Sequence, residues 1–294
     1  MVIVKLMGGL GNQMFQYAAA RRLAHRLGAT VKVDVSYLSF AITIRKYELQ
    51  HLNVQTGVAT PKEIEEVIGK NFGFPLRVLA GIKQRIGYES SNPNVFREKH
   101  FDYHRDIEML PDDVYLDGYW QSEKYFQDIQ EIIRKEFSFR DPLDQKNLDM
   151  ANRIANAVSV SIHIRRGDYV SDAQTRRFHG ICGQDYYDAC MAEMRKRLEN
   201  PSFFIFSDEP GWAKTTISVP GEKIVVDHNP LELGHMDLRL MSYCRHNIIA
   251  NSSFSWWAAW LNSNRDKIVC APRKWFADFP TNPEDRYPGS WLKL

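Results

Sequence analysis

The chain has 294 residues, of which 44% are hydrophobic and 25% charged, with a formal net charge of +2. That length fits one large domain or two medium ones, and the composition is that of an ordinary globular protein, not a disordered or fibrous one. Near-neutrality excludes a strong basic field for nucleic acid, and four scattered cysteines without a Cys-x-x-Cys pair exclude a disulfide scaffold, leaving free thiols as the expectation.

Met1-Val2-Ile3-Val4 opens a strand over Val2 to Leu6, unlike a signal peptide with its charged head and long apolar middle. Met7 to Asn12 is a glycine-rich turn, Gln13 to Leu27 reads as a helix stopped by Gly28, and Thr30 to Val35 is a second β-rich run. This β-loop-α-β unit is the signature of a parallel sheet with crossover helices. Pro61 to Ile68 reads as a helix with proline in its first turn. Val114 to Leu116 reads as a strand, Gln121 to Phe137 as a helix, and the polar stretch Asp141 to Asn147 as a linker. The α/β pattern then restarts. Strands are expected at Val158–Ile164, Phe203–Phe206, Lys223–Val226, Asn247–Ala250 and Lys267–Cys270. Helices are expected at Asp185–Leu198, Leu233–Cys244 and Phe254–Leu261, and the proline-bearing tail from Pro272 to Leu294 is expected to run along the surface. The expected domains are therefore 1–150 and 151–294, both Rossmann-like, facing each other across a cleft. No apolar run approaches the roughly 20 residues that span a bilayer.

Three segments carry chemistry. Gly8-Gly9-Leu10-Gly11-Asn12-Gln13 joins a strand to a helix, where backbone donors can approach a ligand closely and the amides of Asn12 and Gln13 can hold hydroxyl or phosphate oxygens. It lacks the third glycine of a dinucleotide fingerprint and the lysine of a P-loop. Ser161 to Tyr169 is a β-rich run ending in Arg165-Arg166-Gly167-Asp168. Guanidinium groups match phosphate oxygens, so this run reads as a clamp for a diphosphate, with a surface or interdomain ion pair as the other reading. Strand alternation sets His163 and Arg165 on one side and Arg166 on the other, so Arg165 is the expected phosphate contact, with Arg166 bracing Asp168 or the loop. Asn251-Ser252-Ser253-Phe254-Ser255 lies between a strand and a helix, with serines placed either to cap the helix or to hold phosphate and ribose oxygens. Asp208, after an aromatic strand, could accept from a nucleobase or cap a turn. Trp256, Trp257 and Trp260 read as core. No zinc-type His/Cys cluster and no Asp-x-Asp in a metal-binding context appear, so the arginines are expected to supply the charge that a metal would otherwise supply.

Taken together, Gly8 to Tyr17, His163 to Tyr169 and Asn251 to Trp257 resemble the bacterial α-1,2-fucosyltransferases of glycosyltransferase family 11, over Met1 to about Trp275. The resemblance implies an α/β GT-B architecture with the nucleotide held mainly by the C-terminal domain and the acceptor on the N-terminal side. It implies a galactoside 2-α-L-fucosyltransferase that inverts the donor GDP-β-L-fucose onto the 2-hydroxyl of a terminal β-galactoside, as in an O-antigen or another surface glycan. No metal and no other cofactor is implied. Carried onto this chain, the catalytic group comprises Arg165 at the β-phosphate, Asn12 near the reacting groups, Asp168 and His163. The nucleotide contacts comprise Gly9, Gly11, Arg165, Arg166, Asp208 (reading guanine), Asn251, Ser252, Ser253 and Phe254. For the base, Asp168, His163, Asp34 and Glu209 stay open. The implied location is the cytoplasm, with peripheral attachment to the inner membrane face left open by a lipid-linked acceptor.

Overall fold

The computed structural model describes residues 1–39, 45–69, 92–167, 170, 172–277 and 282–294. Two compact units divide the chain, Met1–Ser138 and Phe139–Leu294.

In the first unit, β1 (Val2–Lys5), α1 (Leu10–Leu27) and β2 (Val31–Asp34) make the expected opening, and Gly28 ends α1 at φ +63°. That left-handed C-cap suits a residue without Cβ. β3 (Gly57–Val58), α2 (Pro61–Ile68), β4 (Val95–Arg97), β5 (Val114–Asp117) and α3 (Gln130–Glu136) follow. All strands pair in parallel in the order β3-β2-β1-β5-β4. α2 starts on a reciprocal cap, Thr60 accepting from the Glu63 N–H and Glu63 from the Thr60 N–H. Its inner face, Ile64 and Val67, packs on Ile3 and Ala59.

Two expected boundaries move. α1 begins at Leu10, not Gln13, so Gly9 is its N-cap and Asn12 and Gln13 lie in its first turn. The helix expected over Gln121–Phe137 reduces to α3, preceded by tight turns at Glu123–Tyr125 and Gln127–Ile129. The Ser122 side chain accepts from the Lys124 N–H, and Phe126 at φ −145° breaks the run.

The second unit contains α4 (Gln145–Ala155), β6 (Ser159–Ile164), α5 (Ala173–His179), α6 (Gln184–Arg197), β7 (Ser202–Ser207) and α7 (Pro210–Thr216). It continues with β8 (Lys223–Val226), α8 (Gly234–Tyr243), β9 (His246–Ile248), α9 (Ser253–Leu261), β10 (Val269–Ala271), α10 (Pro283–Arg286) and β11 (Leu292–Lys293). Its parallel sheet runs β11-β10-β9-β6-β7-β8, the order of a dinucleotide-binding sheet, reversing direction between β6 and β9. β6 is buried along its whole length, as the centre of such a sheet must be. Val160, Ile162 and Ile164 pack on Tyr187, Met191 and Met194 of α6.

The stretch expected as a linker, with the domain change after residue 150, belongs to the second unit. Asp144 caps α4 by accepting from the Asn147 N–H at 2.8 Å, and the fully buried Asn147 side chain is held by His228 and Asn229. The tail is likewise no surface strap. β11 pairs with β10, and Trp291 packs 5.4 Å from Trp256, which with Trp257 is wholly buried. The four cysteines are free thiols. Among the described residues no helix is long and apolar enough to cross a membrane.

The back of α1 is anchored through one buried carboxylate. Glu136 accepts from Tyr17 Oη at 2.6 Å and from Arg21 Nε at 2.9 Å. Glu136→Ala leaves Arg21 and Tyr17 without that acceptor, and the expected cost is about 3 kcal/mol, read from the denaturation midpoint in urea.

Candidate active site

The turn in strand order between β6 and β9 puts the carboxyl ends of β6, β7 and β9 at one edge, where ligands of such sheets bind. Ile164 lies opposite Ser207, so the arginine run leaving β6 meets Asp208 and Glu209 leaving β7. Arg165 Nη1 is 2.9 Å from Asp208 Oδ2, and the Arg166 N–H donates to Asp208 Oδ1 at 2.9 Å. Asp208, expected at guanine, thus has both oxygens turned to the arginine loop. Burial raises its pKa and the Arg165 charge opposes that rise. Gly167 fits because a Cβ would sit 2.6 Å from Asp208 Oδ2. Arg166 has contacts of its own. Its Nε donates to Glu209 at 3.0 Å and its guanidinium stacks 3.8 Å over Trp212. Asp168 lies outside the described residues.

His163 is 4% exposed, with its ring 5.5 Å from that of Phe254. Burial, with the Arg165 charge adding to it, lowers its pKa to about 3, so the imidazole is neutral and a weak base. Phe254 is in the first turn of α9, so this contact brings the start of α9 beside the end of β6. Ser252 is the N-cap of α9, yet its hydroxyl makes no capping bond, while its carbonyl accepts from the Trp256 N–H. Asn251 ties neighbouring segments together. Its Nδ2 donates to the carbonyls of His179 and Trp275 and its Oδ1 accepts from Cys182. It clamps two loops beside a cavity of about 350 Å³ that includes Cys182, Tyr186, Arg273 and Phe276.

In the first unit the glycine turn is built around amides. Gly8 has φ +74°, and a Cβ there would lie 2.4 Å from Asn12 Nδ2. Gly9 caps α1 without a side chain, and the Glu48 carboxylate accepts the Leu10 N–H in its place, its pKa raised by burial. Gly11 is buried within the first turn of α1. Gln13, expected to reach a ligand, is fully buried and bonds backbone instead. Its Nε2 donates to the Gly8 and Lys46 carbonyls and its Oε1 accepts from the Glu48 N–H. Asn12 is half-buried, its Oδ1 accepting from Gln121 Nε2 at 2.7 Å. Asp34, a candidate base by sequence, has one oxygen on the Ser36 N–H and the other on Tyr115 Oη.

The sequence gives no sign of Asp237. It sits in the first turn of α8, where an acid reads as a complement to the helix dipole. Asn229 donates to it at 2.7 Å, and burial pushes its pKa up to about 7. At Gly234, the start of the same helix, a Cβ would lie 4.0 Å from the Phe254 ring.

Two parallel α/β units, one of them with arginines and a helix start at its switch point, define a GT-B glycosyltransferase framework. The α-1,6-fucosyltransferase NodZ soaked with GDP-fucose shares it, with a TM-score of 0.51 at 12% identity over 88% of this chain and 92% of that one. Residues 96–294 match Glycosyl transferase family 11, and the chain belongs to that family. It is 33% identical to the O-antigen biosynthesis glycosyltransferase WbnK of Escherichia coli, over 98% of this chain and 99% of the relative. It is also 33% identical to an Escherichia coli alpha-1,2-colitosyltransferase, over 100% and 98%. The galactoside 2-alpha-L-fucosyltransferase Sec1 of Mus musculus is 23% identical over 100% of this chain and 74% of its own length.

Asp237 gives this unit a pH signature. With its folded pKa near 7 against an unfolded value of about 3.9, the folded state holds a proton that the unfolded chain has lost. The stabilisation is full below about pH 4 and disappears as the pH rises to about 7. Asp237→Asn keeps the acceptor for Asn229 without the charge. It should raise Tm by roughly 4 °C at pH 8 and by much less at pH 4.5, as scanning calorimetry at the two pH values would show.

Proposed function

We propose that the chain transfers L-fucose from GDP-β-L-fucose to the 2-hydroxyl of a terminal β-galactoside, inverting the anomeric carbon to give an α-1,2 linkage in a surface glycan. The observation that carries this reading is Arg165, fixed by Asp208 at the switch point of the second sheet and beside the start of α9. A diphosphate leaving group there meets a guanidinium, the Ser252 and Ser253 hydroxyls and the α9 backbone donors together. Similarity to the O-antigen biosynthesis glycosyltransferase WbnK supports a glycosyl transfer, and similarity to the galactoside 2-alpha-L-fucosyltransferase Sec1 supports fucose as the sugar.

The acceptor oxygen forms a bond to the anomeric carbon as the bond to the β-phosphate oxygen breaks on the opposite face. Negative charge grows on the β-phosphate, and Arg165 stabilises it without metal. Asp208 holds Arg165 at its angle, Arg166 with Glu209 and Trp212 braces the loop, and Asn251 keeps the neighbouring loops in place. The acceptor proton goes to Asp168. Asp34 is tied by Ser36 and Tyr115, Glu209 is paired with Arg166, and His163 is too weak a base.

A second reading concerns the donor alone. The chain is 33% identical to an alpha-1,2-colitosyltransferase, and colitose is fucose without its 3-hydroxyl. GDP release measured from GDP-fucose and GDP-colitose, with a panel of β-galactosides and in EDTA, separates the two, and NMR of the product gives the linkage. Arg165→Ala should lower turnover about 100-fold or more with an unchanged circular dichroism spectrum, and near-normal turnover would remove Arg165 from the reaction. Asp168→Asn should flatten the acidic limb of the kcat profile, and an unchanged limb would exclude Asp168 as the base.

A further inference from the structure

The cavity of about 350 Å³ beside Asn251 has no part in the transfer as set out above. It lies at the carboxyl ends of β9 and β10, where Asn251 and Pro272 follow the two strands, and the turn into α6 also lines it. Two adjacent tyrosines of α6 tie the cavity to the arginine site. Tyr186 Oη lies 2.6 Å from the Ile249 carbonyl oxygen and 3.2 Å from that of Cys270, while Tyr187 Oη donates to the His163 carbonyl at 3.1 Å. The flanking loops are held close to each other. The Ala277 N–H donates to the Phe178 carbonyl at 3.0 Å, and Gly180, at φ +71°, carries no side chain where a Cβ would lie 3.1 Å from that of Ala277.

Ile181, Tyr186, Pro272 and Phe276 make the lining largely apolar, and Arg273 and Lys274 add two exposed cations. Among the described residues neither cation has a carboxylate or another acceptor for its side chain. An apolar lining with a few charged groups is the make-up of a small-molecule site, and neighbouring charges of one sign concentrate their field on an anion. We propose that this cavity is an acceptor subsite of the sugar transfer and that it selects glycans with an anionic group, a carboxylate or a phosphate, close to the reacting galactoside. The proposal rests on the reading of the chain as a transferase acting at Arg165. A diphosphate at the turn in strand order divides such a sheet into two halves. With the nucleoside over β6, β7 and β8, the side of β9 and β10 receives what lies beyond the diphosphate, the sugar in transfer and its acceptor. The sugar rings lie against the apolar lining, and the anion meets Arg273 and Lys274.

Acceptor kinetics with GDP-fucose test it. The probes are a neutral β-galactoside disaccharide, the same disaccharide with a uronate as its second sugar, and the same disaccharide with a phosphate at its reducing end. At least one charged acceptor should show a KM roughly fivefold below that of the neutral one, a gain that fades in about 0.5 M salt. A gain with the uronate alone marks an acidic sugar as the anion, and a gain with the phosphate alone marks a phosphorylated one. Arg273→Ala and Lys274→Ala together remove no bond of the fold, and they should bring the KM of the charged acceptor up to that of the neutral one. Ile181→Trp fills part of the cavity and should raise KM for all three acceptors. Equal KM values for neutral and charged acceptors in the wild type, a gain that survives the double substitution, or wild-type KM values in Ile181→Trp overturn the proposal. Absence of transfer to all three overturns the reading beneath it. Calorimetry with the charged disaccharides then decides the subsite by itself: binding that the double substitution abolishes supports it, and no binding to the wild type refutes it.

Discussion

Every strand pair in both described sheets is parallel, and that constraint organises the rest of the molecule. Parallel pairing sends the chain back along a helix or loop before each new strand, so all the segments leaving the strands collect at one edge of each sheet. In the second unit that edge brings Arg165, Asp208 and Ser252 together from the ends of three strands. In the first it brings the Gly8–Asn12 turn from β1 and the Gly118–Gln121 turn from β5, neighbours in the sheet although 109 residues separate Asn12 from Gln121.

The two edges are built from different chemistry. The second unit works with charge. Arg165 and Arg166 are each matched to a carboxylate, and each keeps about a fifth of its side-chain surface exposed. Fixing a guanidinium before a ligand arrives removes the cost of reorganising it while charge develops. The first unit works with amides. Asn12, Gln13 and Gln16 stand within the opening turns of α1, and each bonds a segment distant in sequence. Neutral amides carry direction without a field, so they fix a geometry without attracting stray anions.

The arginine site was legible because it obeys local rules. A β-rich run sets the end of β6 just before Arg165, and Asn251 to Phe254 sit where a strand passes into a helix. What stayed hidden depends on partners far along the chain. Gln13 looks like a ligand residue because the carbonyl of Lys46 is not part of its local sequence, and it is this carbonyl that consumes its amide. Trp120 gives no hint of a positive φ, since Glu98 and Phe96 impose it. β11 has only two residues and follows Pro288 and Gly289, so no periodicity announces it. It is made by pairing with β10 and by burial of Trp291.

The distribution of strain follows the same division. At the arginine edge no described residue between Ile164 and Gly167 takes a positive φ, and the loop is held by ion pairs and by the absence of a side chain at Gly167. At the amide edge the backbone itself is forced, at Gly8 and at Trp120. A guanidinium interacts over several ångströms and tolerates small displacements, whereas a hydrogen-bonding amide loses its bond within about 0.5 Å and its partner with a 180° flip. Directional groups therefore need the stiffer support, and Trp120, with its positive φ, directly precedes the Gln121 amide that bonds Asn12.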